Sequence, residues 1–193
     1  MALMALGIDI ILPAFDDIRS TFGLSDSGGQ ERQIITIYFI GLAIAQLFFG
    51  PLSDWFGRKP VLYIGISIYL IGAIGSALAP SFSLLMTARF VWGIGAAGSR
   101  VVAVAIIRDS FEGNRMAKAM SEIMAVFVLV PIVAPALGAG IIAIFPWQGI
   151  FWFCVIWAVA IGAWSLRLSE TLNPAYRTKV NLKTTLRGYK RVC

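Results

Sequence analysis

The length of its apolar runs limits this chain more than any other feature. Six segments, roughly 1–16, 33–54, 61–79, 84–107, 118–142 and 147–166, carry very little charge. A helix needs ~20 apolar residues to cross a bilayer, and the second to sixth segments reach or approach that length. Of all 193 residues, 59% are hydrophobic and 13% charged; a typical soluble domain has about half and about a quarter. A water-soluble core of this size cannot absorb so much apolar surface. The pattern predicts an all-α membrane protein: six transmembrane helices bundled over 1–167, then a truncated basic cytoplasmic linker over 168–193. The first run, Met1–Phe15, spans only ~22 Å as a helix, which predicts a native start further upstream. Asp9 and Pro13 interrupt that run and no basic stretch precedes it, so a cleaved signal peptide is a poor reading.

The net charge is +6, and its placement decides what it means. Arg58 and Lys59 lie between the second and third segments, and Arg108, Arg115 and Lys118 lie between the fourth and fifth. Seven more lysines and arginines follow the sixth segment, whereas the loops at Ala79–Ser81 and Phe145–Trp147 carry none. Lysine and arginine mark the cytoplasmic side, so both ends of the chain are expected in the cytoplasm and the basic tail on anionic headgroups. Nucleic acid is a poor partner for positives distributed in this way. Trp147 and Trp152 are candidate interfacial anchors. The absence of histidine excludes histidine metal sites and Ser-His or Cys-His catalysis. No phosphate-binding loop occurs either, so neither an enzyme nor an ATP-driven machine is expected.

Three places combine charge, proline or glycine with apolar surroundings. In Gly50-Pro-Leu-Ser-Asp54-Trp-Phe-Gly57-Arg58-Lys59-Pro60, Asp54 and Arg58 have salt-bridge spacing on a helix. Gly57 is suited to end the second helix in a left-handed conformation and Pro60 to sit in the first turn of the third. Gly50 offers a neighbouring helix a close approach. Asp9 and Arg89 each lie ~9 Å from the same end of their segments, and an unpaired charge there costs at least about 2.5–3.5 kcal/mol. They are read as an embedded ion pair. Arg100, eleven residues after Arg89, returns to within ~20° of its face, which points to a watery cleft or to a reach toward the cytoplasm. Pro131 and Pro135, with Gly138 beyond, are expected to bend the fifth segment.

The first of these stretches resembles the signature of the major facilitator superfamily, found between its helices 2 and 3. Gln46-Leu-Phe-Phe-Gly50-Pro-Leu-Ser-Asp54 is similar to the Bcr/CflA-type branch of drug:proton antiporters. Arg89-Phe-Val-Trp-Gly93-Ile-Gly95 resembles the family's helix-4 motif, although Trp92 stands where glutamine is frequent. Ala134-Pro135-Ala-Leu-Gly138 resembles the helix-5 antiporter motif, with alanine where glycine is usual. Leu168-Ser-Glu170-Thr171-Leu172 resembles the signature after helix 6.

The resemblance implies the N-terminal six-helix bundle of a twelve-helix transporter in a bacterial inner membrane. It implies proton-coupled export of hydrophobic drugs by alternating access, driven by the proton gradient with no resident cofactor or metal. The lipid bilayer and a second six-helix half would be its partners. A proton-driven importer of a small metabolite and an inactive fragment are the alternatives. Within that frame Gly50, Asp54, Gly57, Arg58, Lys59 and Asp109 form a cytoplasmic gate, with Arg58 bridging Asp54 to Asp109. Asp9 is the candidate proton carrier, and it is either coupled to Arg89 or part of a static pair. Pro131, Pro135 and Gly138 would seal a helix interface. Tyr38, Gln46, Trp92 and Arg100 are candidate linings of a substrate cavity.

Overall fold

The computed structural model describes residues 2–24, 29–168 and 170–172, and among them every regular element is helical. The first segment contains α1 (Ala2–Asp9), a single 3-10 turn (Leu12–Ala14) and α2 (Phe15–Phe22). Then come α3 (Gln30–Phe56), α4 (Arg58–Ala77), α5 (Phe82–Ser110), α6 (Gly113–Ile142) and α7 (Gln148–Ser165). These last five are long and apolar enough to cross a membrane. They outrun several of the apolar stretches, because polar residues at each end continue the helix. From residue 173 onward the expected linker lies outside the described residues.

The first segment departs from the expected single helix over 1–16. α1 stops at Asp9, four residues before Pro13, where a proline ring meets the helical carbonyl and removes a donor. The chain tightens into the 3-10 turn, with Ala14 N donating to the Ile11 carbonyl at 2.9 Å, and re-forms as the amphipathic α2. Gly23, at φ 62° and ψ 37°, closes α2 in the left-handed conformation. α2 is tied to its neighbours by side chains: Arg19 Nη2 donates to Glu31 at 3.0 Å and Trp147 Nε1 to Thr21 at 3.1 Å. Trp147 is therefore not a lipid anchor. It is buried, with its ring against Phe22 and Phe151.

α5 is the centre of the bundle and lies closest to α3 and α4. Helices in lipid associate through packing rather than through the hydrophobic effect, and small residues allow their backbones to meet. A methyl group at Gly93 would strike the Tyr38 carbonyl of α3, and one at Gly95 would strike the Tyr69 amide of α4. Gly41 and Gly72 return the relation, facing Phe90 and Trp92 of α5. Around this contact Tyr38, Tyr69, Trp92 and Phe151 form the buried aromatic core.

α6 is different, for only Ala134 and Gly138 are buried on it. Gly138 faces the Ile10 carbonyl and the Pro13 ring, so α6 sits on the break in the first segment. Val128, Leu129, Ile132 and Val133 stay exposed, as suits a helix solvated by hydrocarbon or by further helices.

Gly95→Ala should lower stability by about 1–3 kcal/mol, since two backbones must part to admit the methyl. Gly140→Ala, where no atom lies within 4 Å of the added carbon, should stay within about 0.5 kcal/mol of the parent. Thermal unfolding in detergent distinguishes the two.

Candidate functional site

The junction of α3 and α4 builds a charged node. Gly57 joins the helices at φ 104° and ψ 162°, an extended mirror-image region open essentially to glycine. It does not take the left-handed helical conformation expected from sequence. This turn places Arg58 at the first position of α4, where its guanidinium reaches two other helix ends. Nη1 donates to Asp54 Oδ1 at 2.5 Å and to Ser53 Oγ at 2.7 Å, and Nε donates to Asp109 Oδ2 at 2.8 Å. The Ser53 hydroxyl in turn donates a hydrogen bond to the Gly50 carbonyl at 2.9 Å. Arg58 is buried, whereas the Asp54 side chain remains 50% exposed. One rigid, forked cation thus ties the end of α3 to the end of α5, a geometry suited to arginine and not to lysine.

Sequence reasoning missed two members of this node, Ser53 and Glu170. The Glu170 carboxylate accepts the Arg58 amide at 2.9 Å and the Lys59 amide at 3.0 Å. Both amides lie in the first turn of α4, where helical donors have no partner in their own helix. The N-cap, Gly57, has no side chain with which to satisfy them. Lys59 Nζ donates to the Leu166 carbonyl at 3.2 Å, so its charge has a structural contact as well. The signal for Glu170 was a helix start with no local cap and an acid in a recognised motif. Nothing in the spacing, 112 residues from Arg58, joins the two.

Beside the node lies a cleft of about 360 Å³ between α3 and α5, lined by Gln46, Asp54, Arg58, Arg100, Arg108 and Asp109 among others. It brings together two cavity candidates, Gln46 and Arg100, with the gate residues. The other two candidates are not cavity linings. Tyr38 is buried and donates its hydroxyl to the Met4 carbonyl at 3.2 Å. Trp92 is fully buried, edge-on to Tyr38, Tyr69 and Phe151. A large ring beside glycines fills the space that they open. Gly50, expected to receive a neighbouring helix, has open space beside it among the described residues.

Asp9 and Arg89 do not form the expected ion pair. Arg89 is buried and donates Nη1 to the Gly7 carbonyl at 2.8 Å. Its guanidinium carbon lies 4.7 Å from the Trp92 ring centre, 5.2 Å from Phe151 and 5.8 Å from Tyr38. Nε and Nη2 have no hydrogen-bond partner among the described residues. The break after Asp9 leaves carbonyls of the last turn of α1 without a continuing helix to bond them, partly negative, and Arg89 engages that of Gly7. Residues 7 and 9 diverge by ~200° around a helix, so a side chain at the right depth stands at the wrong azimuth. In α6, Pro131 is exposed and Pro135 half-buried within one continuous helix, while Gly138 makes the close contact.

Five membrane-length helices, one of them a glycine-faced centre, with a guanidinium–carboxylate node at one end, define a polytopic transporter-type bundle. The chain belongs to the Major Facilitator Superfamily, whose family model matches residues 1–192. Its fold is that of the N-terminal half of such a transporter. Multidrug resistance protein MdtL of Escherichia coli O81 (strain ED1a) is 35% identical over 173 residues, covering 90% of this chain and 44% of that protein. The protein of the same name from Shigella dysenteriae serotype 1 (strain Sd197) has the same identity and coverage. The chain therefore spans about half the length of the curated relatives it matches. Among solved structures, a D-xylose-proton symporter superposes with a TM-score of 0.72 at 15% identity, over 99% of this chain and 50% of that one. The human organic anion transporter MFSD10 (TETRAN) gives 0.70 at 21% identity, over 95% and 49%.

Double-mutant cycles on thermal stability should separate the two arms of the node. Arg58→Ala with Asp109→Asn should show a coupling of about 1–2 kcal/mol. The more exposed Asp54 arm should show about 0.2–1 kcal/mol.

Proposed function

We propose that this chain is the N-terminal half of a proton-coupled multidrug exporter of a bacterial inner membrane, working by alternating access against a second six-helix half. One observation carries the reading. Arg58 holds the ends of α3 and α5 together, while Asp54 stays half-exposed and Gly50 unobstructed beside it. A carboxylate fixed on one side and open on the other is suited to the positive N-terminal end of a helix from the other half. Closing that contact shuts the cytoplasmic side, and releasing it opens the cleft lined by Gln46 and Arg100. The relatives' printed name, multidrug resistance protein, supports hydrophobic drugs as the substrate class.

Proton coupling belongs to Asp9 in this account. It lies at the end of α1, beside the break that α6 covers through Gly138. Gaining a proton removes one charge from the helix end whose Gly7 carbonyl Arg89 holds, which couples the two residues through α1 rather than by direct contact. Gly138, with Pro135 half-buried one turn before it, seals that α6 interface against leak, and the exposed Pro131 stands outside the seal. The ends of the chain face the cytoplasm with the gate, and no cofactor takes part.

Asp9→Asn in the complete transporter should abolish pH-driven drug uptake into inverted vesicles, the direction that corresponds to export, while membrane insertion is retained; unchanged coupling rejects the assignment. Cells carrying only these 193 residues should expel no drug, and robust efflux from them would overturn the half-transporter reading.

A further inference from the structure

We infer that Glu170 is a positioning residue for the gate, a cap on α4 that holds the backbone from which Arg58 reaches Asp54 and Asp109. This rests on the gate reading above.

The carboxylate is fully engaged. Oε1 accepts from the Arg58 amide at 2.9 Å and from the Leu172 amide at 3.1 Å, and Oε2 accepts from the Lys59 amide at 3.0 Å. A negative charge at a helix start is favoured by the aligned peptide dipoles as well as by these bonds. Lys59 Nζ adds a further tie to the Leu166 carbonyl at 3.2 Å. Nearby, Ser165 Oγ donates to the Tyr63 hydroxyl at 3.3 Å. The start of α4 is thus fastened to the chain leaving α7 through its backbone, and to α3 and α5 through the Arg58 side chain.

That division of labour matters because a guanidinium stands on a long, rotatable stem. Its two carboxylates lie on different helices, so the fork spans them only while its Cα stays in place. A frayed first turn would let Arg58 keep one acid and lose the other. Glu170 holds that turn, and it also links the gate mechanically to the connection that follows α7. Movement there shifts the atom from which the gate is built.

In the complete transporter, hydrogen exchange at the Arg58 and Lys59 amides should speed up about tenfold or more in Glu170→Ala. Glu170→Gln, with one accepting oxygen and no charge, should fall between parent and Ala. Unchanged exchange in both variants overturns the cap. The gating role is read at Ala105→Cys, a cleft position, by labelling with an impermeant maleimide from the cytoplasmic side. Asp54→Asn serves as reference, and each of Glu170→Ala and Glu170→Gln should raise labelling severalfold, as Asp54→Asn does. The combined Asp54→Asn, Glu170→Ala variant should rise no further than Asp54→Asn alone, and turnover should fall with KM unchanged. A rise for Asp54→Asn without one for Glu170 leaves the gate standing and removes Glu170 from it. Additive increases would assign Glu170 a merely structural role, and no rise in any variant overturns the gate reading with it. Should Glu170→Ala fail to insert, the Gln variant decides alone.

Discussion

The bundle depends on how closely other helices approach α5. Hydrocarbon gives two apolar helices little reason to leave lipid for each other, so contact must come from packing at short range. Gly93 and Gly95 bring the backbones of α3 and α4 against α5, and Gly41 and Gly72 answer from the other side. Trp92 projects from the same stretch into the space between them and collects Tyr38, Tyr69 and Phe151 around its ring. That close core fixes where the ends of α3, α4 and α5 emerge. The Arg58 node is a consequence, since its three partners lie on helix ends that the core has already placed.

Two arginines meet opposite solutions to one problem. Arg58, at a helix end, is matched by two carboxylates and a hydroxyl. Arg89, inside the bundle, has a carbonyl and three aromatic faces and, among the described residues, no acid within bonding distance. Aromatic faces and a helix end supply diffuse negative potential, which steadies a cation without neutralising it. Such a charge remains sensitive to any change at the end of α1. The break before Pro13 therefore does structural and electrostatic work together, ending α1 where Arg89 reaches it and giving α6 its seat at Gly138.

Much of this was legible in the residues. Apolar length gave the spanning helices, and the Asp54–Arg58 spacing with Gly57 between them gave the turn and the first arm of the node. The Asp109 arm came from the resemblance alone. What failed shares one cause: spacing reports height along a helix, while contact needs azimuth and partner as well. Asp9 and Arg89 were matched in depth and still did not meet. Aromatics such as Tyr38 and Trp92 suit a drug cavity on sequence alone, yet in the bundle they fill the space beside glycines. Pro13 marks an interruption in the sequence, but its effect falls four residues back, where α1 ends at Asp9. Glu170 stood in a noted motif without a task, because an acid that caps a helix 112 residues away leaves no local pattern.

The central claim is that the open side of the Arg58 node docks against a second bundle. Gly50→Cys tests this directly, since the added side chain enters space that nothing described occupies. In the complete transporter, paired with single cysteines at the helix ends of the other half nearest the node, it should cross-link in high yield when the node side is closed. The same pair should lose that cross-link when the node side opens. A yield that is negligible in both states, or equal in both, would contradict the account.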